Sequence, residues 1–173
     1  MRKPKNKLGL FAVLAASVAL LGSFAACGGS SETQATGVPL PDSAFRVEWG
    51  ELKAPAEMKV SETAKASVTV TNTSDQTWPD PKTADPSGSG AYAVRLAWRW
   101  RVAPDQKFGE GTSPVRGDLQ KPLAPGESAT FEFDIAAPGV PGDYTLHVDL
   151  VQELVGWFEG HGAATKTAMA VVR

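Results

Sequence analysis

The feature that most constrains this chain of 173 residues is an alternation of apolar and polar residues with a period of two, which recurs after residue 44. In a β-strand successive side chains point to opposite faces, so this period places one face of each strand on a core and the other in water. No stretch after residue 27 has a convincing helical period, and we therefore expect an all-β domain. The alternating segments are 64–71, 92–102, 129–135 and 144–151, with weaker strand candidates at 45–51 and 164–172.

Turn-forming residues separate these segments. Pro125-Gly126 suits a type II turn, with Pro at the second position and Gly at the third. Pro138-Gly139 and Pro141-Gly142 interrupt the chain again before the strand at 144–151. Short strands joined by Gly and Pro turns are typical of an antiparallel sandwich rather than of a parallel sheet.

Two residues narrow this prediction to an immunoglobulin-like antiparallel β-sandwich of about seven strands. Tyr144 follows Pro-Gly-Asp at the entrance of a strand and resembles the tyrosine corner of that fold, with Leu146 where antibody domains carry a cysteine. Trp98 is expected at the central core position. The only cysteine is Cys27, so apolar packing must hold the two sheets together without a disulfide.

The N-terminal residues have the three-part layout of a secretory signal. Residues 1–7 are basic, residues 8–22 are apolar and uncharged, and small residues precede Cys27. Phe24-Ala-Ala-Cys27 resembles the lipobox of bacterial lipoproteins, with Phe24 where Leu is usual. The resemblance implies that the Cys27 thiol receives a diacylglycerol and that the signal is cut off before it. The lipid would then hold the protein at the extracytoplasmic face of the cell membrane.

Two other interpretations of the N-terminus stay open: an uncleaved anchor over residues 8–26, and ordinary cleavage after Ala25 or Ala26 that releases a soluble product. Residues 28–43 are rich in Gly, Ser, Thr and Pro and are predicted to be a flexible linker. The expected organisation is a signal peptide at 1–26, a lipidated tether at 27–43 and an immunoglobulin-like domain at 44–173.

Four sets of motifs are spread over about residues 60–172. They are Thr69-Val-Thr-Asn72 with Thr77-Trp78-Pro79, Leu123-Ala-Pro-Gly-Glu127, Ala137-Pro138 with Pro141-Gly142-Asp-Tyr144, and 149–158. Asn72 is expected to fix a turn and Trp78 to cap one end of the core. Together the motifs resemble bacterial Ig-like modules appended to glycosyltransferases and other cell-envelope proteins, and more distantly the four-tryptophan domain of autophagy receptors. The resemblance implies a non-catalytic role in binding or spacing.

Three arginines share one face of the strand at 92–102: Arg95, Arg99 and Arg101. In this fold that strand lies beside the strand at 144–152. One interpretation is an exposed cross-strand ion ladder, each pair contributing less than about 1 kcal/mol. The other is a surface that recognises a carboxylate or phosphate, because the planar guanidinium binds two oxygens at once. The outward residues opposite the arginines are His147, Asp149 and Glu153.

The segment 157–162 combines two large aromatic residues with a carboxylate, an imidazole and glycines. Aromatic faces stack on sugar rings, so one interpretation is a carbohydrate-binding site. The other is a bulged strand or hairpin whose aromatic rings fill the end of the sandwich. Arg116 is expected to form a structural ion pair, with Asp118 as its candidate partner. The candidate sugar-binding residues are Trp157, Phe158, Glu159 and His161, together with Trp100.

The remaining observations argue against an enzyme and against nucleic acid as a partner. Four of the 17 basic residues precede residue 27, all 19 acidic residues follow it, and no basic cluster remains to bind phosphates. No nucleophile elbow or calcium loop is present, and His147 and His161 are the only histidines. We expect no cofactor and no metal. The leading interpretation is a membrane-anchored, non-catalytic module that binds another envelope protein; the alternative is a module that binds a carbohydrate or cell-wall polymer.

Overall fold

The computed structural model describes residues 37–102 and 113–173. The predicted signal peptide, Cys27 and residues 28–36 of the predicted tether lie outside the described residues. The only α-helix among the described residues is α1 (Pro81–Ala84), and none of their helices is long and apolar enough to cross a membrane. The strands are β1 (Val47–Lys53), β2 (Glu57–Met58), β3 (Thr63–Asn72), β4 (Val94–Arg101), β5 (Val115–Asp118), β6 (Ser128–Ala136), β7 (Gly142–Gln152), β8 (Gly156–Trp157) and β9 (Lys166–Val172).

The strands form the two layers of an immunoglobulin-like β-sandwich, as the alternating segments predict. One sheet has the order β1-β3-β6, and the other has the order β2-β9-β7-β4-β5 with β8 paired to β7. All neighbouring strands are antiparallel except β2 and β9. Seven of the strands have four or more residues, which agrees with the predicted number.

The core lies between the sheets and consists of the inward residues of the alternating segments. Trp98 on β4 is 6% exposed and packs on Phe133 of β6, with 4.4 Å between ring centroids. Leu146 on β7 is fully buried opposite Trp100. The predicted core position of Trp98 is confirmed, and aromatic contacts between the layers take the place of a disulfide.

The tyrosine corner is present at the start of β7. The Tyr144 hydroxyl donates a hydrogen bond to the Val140 carbonyl at 3.0 Å, which matches the bond to an upstream backbone group that defines this motif. The bond ties the entrance of β7 to the loop before it.

Asn72 fixes the turn that follows β3. Its side-chain amide donates to the carbonyls of Gln76 and Leu123, each at 2.8 Å, and its oxygen accepts from the backbone N–H and the hydroxyl of Ser74. Trp78, also fully buried, donates through Nε1 to the Ala44 carbonyl at 2.8 Å. Both residues therefore have the structural roles predicted for them at one end of the core.

Contacts with the sandwich begin before residue 44, within the stretch predicted to be a linker. The backbone N–H of Leu40 donates to Oε1 of Gln152 at 3.0 Å, and Nε2 of Gln152 donates to the Val38 carbonyl at 3.2 Å. Residues 42–44 form a short 3-10 helix, and Ala44 is fully buried. Residues 38–44 are thus bound to the domain in this structure.

Candidate functional site

The sandwich is open along the seam between β5, at the edge of the larger sheet, and β6, at the edge of the smaller one. A groove of about 700 Å³ follows this seam. Trp98, Phe131 and Phe133 form its apolar floor beside Leu96. Polar residues from both edges also line it; they are Arg116, Asp118, Gln120, Lys121, Glu132 and Asp134.

A second hollow of about 480 Å³ continues the groove along the seam, since Trp98, Val115 and Asp134 line both. It adds the rings of Trp100 and Tyr144, which meet edge to face with 6.3 Å between centroids. The Trp100 indole is half-buried and donates through Nε1 to the Ala136 carbonyl at 2.7 Å. Trp100 therefore lies beside the groove and not with the segment 157–162.

The groove exists because β5 is short and one of its two inward positions is a glycine. Gly117 lies opposite Leu96, and a Cβ atom added to it would be 3.2 Å from Cζ3 of Trp98. The other inward residue, Val115, pairs with Trp98 yet is 56% exposed. A four-residue strand with so little side-chain volume does not fill the space next to β6, so a groove remains above the floor rings, which are themselves only 6–7% exposed.

An ion-pair network covers the outer side of β4 and β5. Arg116 Nε lies 2.8 Å from Oε1 of Glu153, and Arg95 Nε lies 2.7 Å from Oδ1 of Asp118. The prediction of a structural ion pair for Arg116 holds, but its partner is Glu153 and not Asp118. The reason is the register: Asp118 is opposite Arg95, whereas Arg116 is opposite Ala97. The Arg116 guanidinium also stacks over Trp157, with 4.7 Å to the ring centroid.

Further along the same face, the predicted exposed ion ladder is wrong. β4 and β7 are neighbours as expected, and Arg99 lies opposite His147. However, four charged or titratable residues on this face are less than 8% exposed, and the ladder model requires them to be in water. They are Arg99, Arg101, His147 and Asp149.

Burial shifts the pKa values of two of these residues toward their neutral forms. Burial, together with the positive charges of Arg101 and Arg99, lowers the pKa of His147 to about 4. Burial raises the pKa of Asp149 to about 7 against the effect of hydrogen bonds from the N–H groups of Glu159 and Leu150. The negative charge of Glu159 also raises it. At neutral pH the His147 imidazole is therefore neutral, and the Asp149 carboxyl is close to its midpoint of titration.

The segment 157–162 forms the end of the sandwich rather than an open aromatic platform. The Phe158 ring is fully buried and meets Phe45 and Trp78 edge to face, at 5.0 and 5.1 Å. It has no surface on which a sugar ring could stack. His161 stacks on Phe45 at 3.7 Å, and its Nδ1 lies 3.3 Å from a carboxylate oxygen of Asp42.

Trp157 and Glu159 are half-buried, and the structure does not bring them together with Arg99, Arg101 and Trp100 into one open site. Carbohydrate binding stays a prediction. The groove residues were anticipated only as core: alternation placed Trp98, Phe131 and Phe133 inward, but no sequence signal marked the short strand β5. Within residues 37–102 and 113–173, no group of three or more His, Cys, Asp or Glu residues could hold a metal ion.

No protein-family model and no curated protein sequence matches the chain. Among solved structures, a crystal structure of a CARDB domain from Pyrococcus furiosus in complex with di-metal ions is similar, with 17% identity and a TM-score of 0.47 over 73% of this chain and 91% of that one. A solution structure of a CARDB domain from the same organism has 18% identity and a TM-score of 0.44, over 73% and 93%. A β-glucosidase from Erythrobacter marinus, with 15% identity and a TM-score of 0.40, is matched over 73% of this chain and 15% of the enzyme.

Proposed function

We propose that the protein is an exported lipoprotein, held by a lipid on Cys27 at the extracytoplasmic face of the membrane. Its immunoglobulin-like domain has no catalytic role and binds an extended segment of another envelope protein. The binding site is the groove between β5 and β6. The anchor is supported by the lipobox-like sequence before the only cysteine of the chain, and two or three acyl chains give stable membrane attachment.

The groove is the observation that carries the binding proposal. β6 pairs with β3 on one side, and among the described residues no strand pairs with its other side; β5 has the same relation to β4. An edge strand presents backbone N–H and C=O groups to which an extended peptide can add as a further strand. Alternate apolar side chains of that peptide would face the aromatic floor of the groove.

Most charges around the groove are already paired within the domain. On the β6 side Asp134 pairs with Lys65 at 2.8 Å. On the β5 side Arg116 pairs with Glu153 at 2.8 Å, and Lys121 pairs with Glu127 at 3.0 Å. The proposed binding therefore rests on the edge strands and the aromatic floor.

The anchor is tested by replacing its cysteine. A Cys27→Ala variant should stay unprocessed, whereas the wild-type protein should carry the mass of the lipid and float with membranes. A variant that matures to the wild-type mass and remains on the membrane would show that Cys27 carries no lipid.

The groove is tested by photocrosslinking in the cell envelope. A photoreactive phenylalanine in place of Val115, which lines the groove and is 56% exposed, should give a discrete crosslinked product. The control has the same residue in place of Met169, which is 75% exposed on β9, and should not give that product. Mass spectrometry of the product identifies the crosslinked segment, and a synthetic peptide of that segment should bind the purified protein. A Val115→Asp variant should weaken the binding.

Three outcomes would contradict the groove as the binding site: equal products from both positions, a peptide that binds the Val115→Asp variant as well as the wild type, or binding of a glycan instead of a peptide.

A further inference from the structure

The described chain enters the domain at one end of the sandwich, where β4 begins and β7 finishes. The Gln152 side chain holds this entry, because its Nε2 donates both to the Val38 carbonyl and to the Tyr92 carbonyl, at 3.2 and 3.0 Å. Ten residues, 28–37, separate Cys27 from Val38. Fully extended, the eleven peptide steps from Cys27 to Val38 span at most about 40 Å. A lipid on Cys27 would be joined to the domain at this end of the sandwich, so this end reaches the bilayer with the least extension of the tether.

Apolar side chains project from the same end. Leu154, in the turn between β7 and β8, is 80% exposed, and Val38 is 49% exposed. Tyr92 is half-buried beside them, and its backbone N–H donates to the Glu153 carbonyl at 3.2 Å. Val38, Tyr92 and Leu154, which we call the entry tip, are thus gathered around Gln152 and Glu153 by backbone and amide hydrogen bonds. Tyr is a residue type enriched where membrane meets water.

The backbone of the entry tip is strained in a way that its packing does not explain. Leu154 has φ of 65° and Tyr92 has φ of 62°, in the left-handed region that favours Gly or Asn. Leu154 occupies the third position of a turn closed by the bond from the Val155 N–H to the Gln152 carbonyl at 3.0 Å. Gly or Asn is the usual residue there. A leucine in this place serves neither the turn nor the core, and strain of this kind points to function.

The carboxylate next to Leu154 in the sequence is compensated. The Glu153 carboxylate lies 2.8 Å from Nε of Arg116 and 3.7 Å from a guanidinium nitrogen of Arg95. Its negative charge is therefore balanced within the domain, and it does not oppose the approach of Leu154 to anionic lipid headgroups.

We propose that the entry tip rests on the bilayer that holds the Cys27 lipid, with Leu154 inserted between headgroups. This inference rests on the proposed lipid anchor and adds the orientation of the domain. β7 would then stand away from the membrane, since its eleven residues lead from Leu154 to the opposite end near Val140, about 35 Å away. The groove between β5 and β6 would extend away from the bilayer and would be accessible to a partner from the side.

The experiment uses the lipidated protein reconstituted in phosphatidylethanolamine–phosphatidylglycerol vesicles. A Val38→Cys variant is labelled with an environment-sensitive dye, because lipidation blocks the Cys27 thiol and leaves the new thiol as the only reactive one. We expect a blue-shifted emission and quenching by a quencher carried on the lipid. The same dye at Val140→Cys, 64% exposed at the other end, should give water-like emission without quenching.

A second substitution separates insertion of the entry tip from mere nearness to the anchor. Leu154→Asp in the Val38-labelled protein should abolish the blue shift and the quenching, whereas Val140→Asp should leave both unchanged. Leu154 is exposed, and Asp tolerates the left-handed conformation, so the variant should melt at the wild-type temperature. A label at Val38 that is water-like, or that Leu154→Asp does not affect, overturns the inference while vesicle flotation still supports the anchor. Protein that fails to float overturns the proposed anchor itself.

Discussion

His147 and Asp149 lie two residues apart on one face of β7 and make opposite contributions to stability as the pH changes. Folding lowers the pKa of His147 from 6.5 to about 4, so over this range the unfolded chain binds a proton that the folded one does not, and stability rises with pH. Folding raises the pKa of Asp149 from 3.8 to about 7, so the folded chain keeps a proton that the unfolded one loses, and stability falls with pH. The two effects oppose each other between about pH 4 and 6.5.

We predict that single substitutions uncover these opposing slopes. In His147→Gln the free energy of unfolding should fall between pH 4.5 and 6.5, and in Asp149→Asn it should rise, by up to about 1.4 kcal/mol per pH unit in each case. Urea unfolding across this pH range measures both slopes. The double variant is the control and should vary least. Parallel profiles in the two single variants would contradict the prediction.

Asn72 should be among the residues whose truncation costs most stability. Asn72→Ala removes four side-chain hydrogen bonds and leaves the Leu123 carbonyl and the Ser74 N–H without these partners. Because unpaired buried polar groups are costly, we expect a loss of about 3 kcal/mol in urea unfolding. Thr71→Ala, at the neighbouring outward position, should cost less than about 1 kcal/mol. Similar losses in both would show that the Asn72 network contributes little.

Alternation at the level of single residues predicts the face on which a side chain lies but not whether that face is exposed. It correctly placed Trp98 inward and Arg99 outward. It could not predict that Arg99 and His147 are buried, because the period of two reports only the direction of a side chain along its own strand. The partner of Arg116 depends on the register between β4 and β5, which is a property of two segments far apart in sequence.

Among the elements, β5 determines whether the seam of the sandwich is open. We predict that Gly117→Val lowers the free energy of unfolding by about 1–3 kcal/mol, because the added atoms would press on Trp98 and Phe131. It should also shift tryptophan emission. Val115→Ala, at an exposed position of the same strand, is the control and should change stability little. A Gly117→Val protein as stable as the wild type would indicate that the groove absorbs the added side chain without displacing its floor.

The longer strands were predictable and the short ones were not, for a physical reason. Segments such as β6 and β7 repeat the alternation often enough to be distinguished from chance, and their predicted and observed limits agree within two residues. β2 and β8 have two residues each, too few to show any period. They are strands only because a neighbouring strand supplies hydrogen-bond partners.

At the scale of the whole molecule, the contribution of residues 37–43 to the stability of the domain can be measured. In urea unfolding, a fragment of residues 37–173 should have a free energy of unfolding about 2 kcal/mol higher than a fragment of residues 44–173. The reason is that the shorter fragment lacks Val38 and Leu40, whose backbone groups bond the buried Gln152 side chain. In a Gln152→Leu background the two fragments should differ little. Equal stability of the two unsubstituted fragments would mean that residues 37–43 do not stabilise the domain.

The parallel pair of β2 and β9 bears on the timing of folding. Glu57 lies opposite Val171, so this contact joins residues more than a hundred positions apart, and contacts between distant residues form slowly. During synthesis β2 must wait until β9 has left the ribosome before the larger sheet can be completed. The export that we propose requires an unfolded chain, and a larger sheet that stays incomplete until β9 is made would meet that requirement.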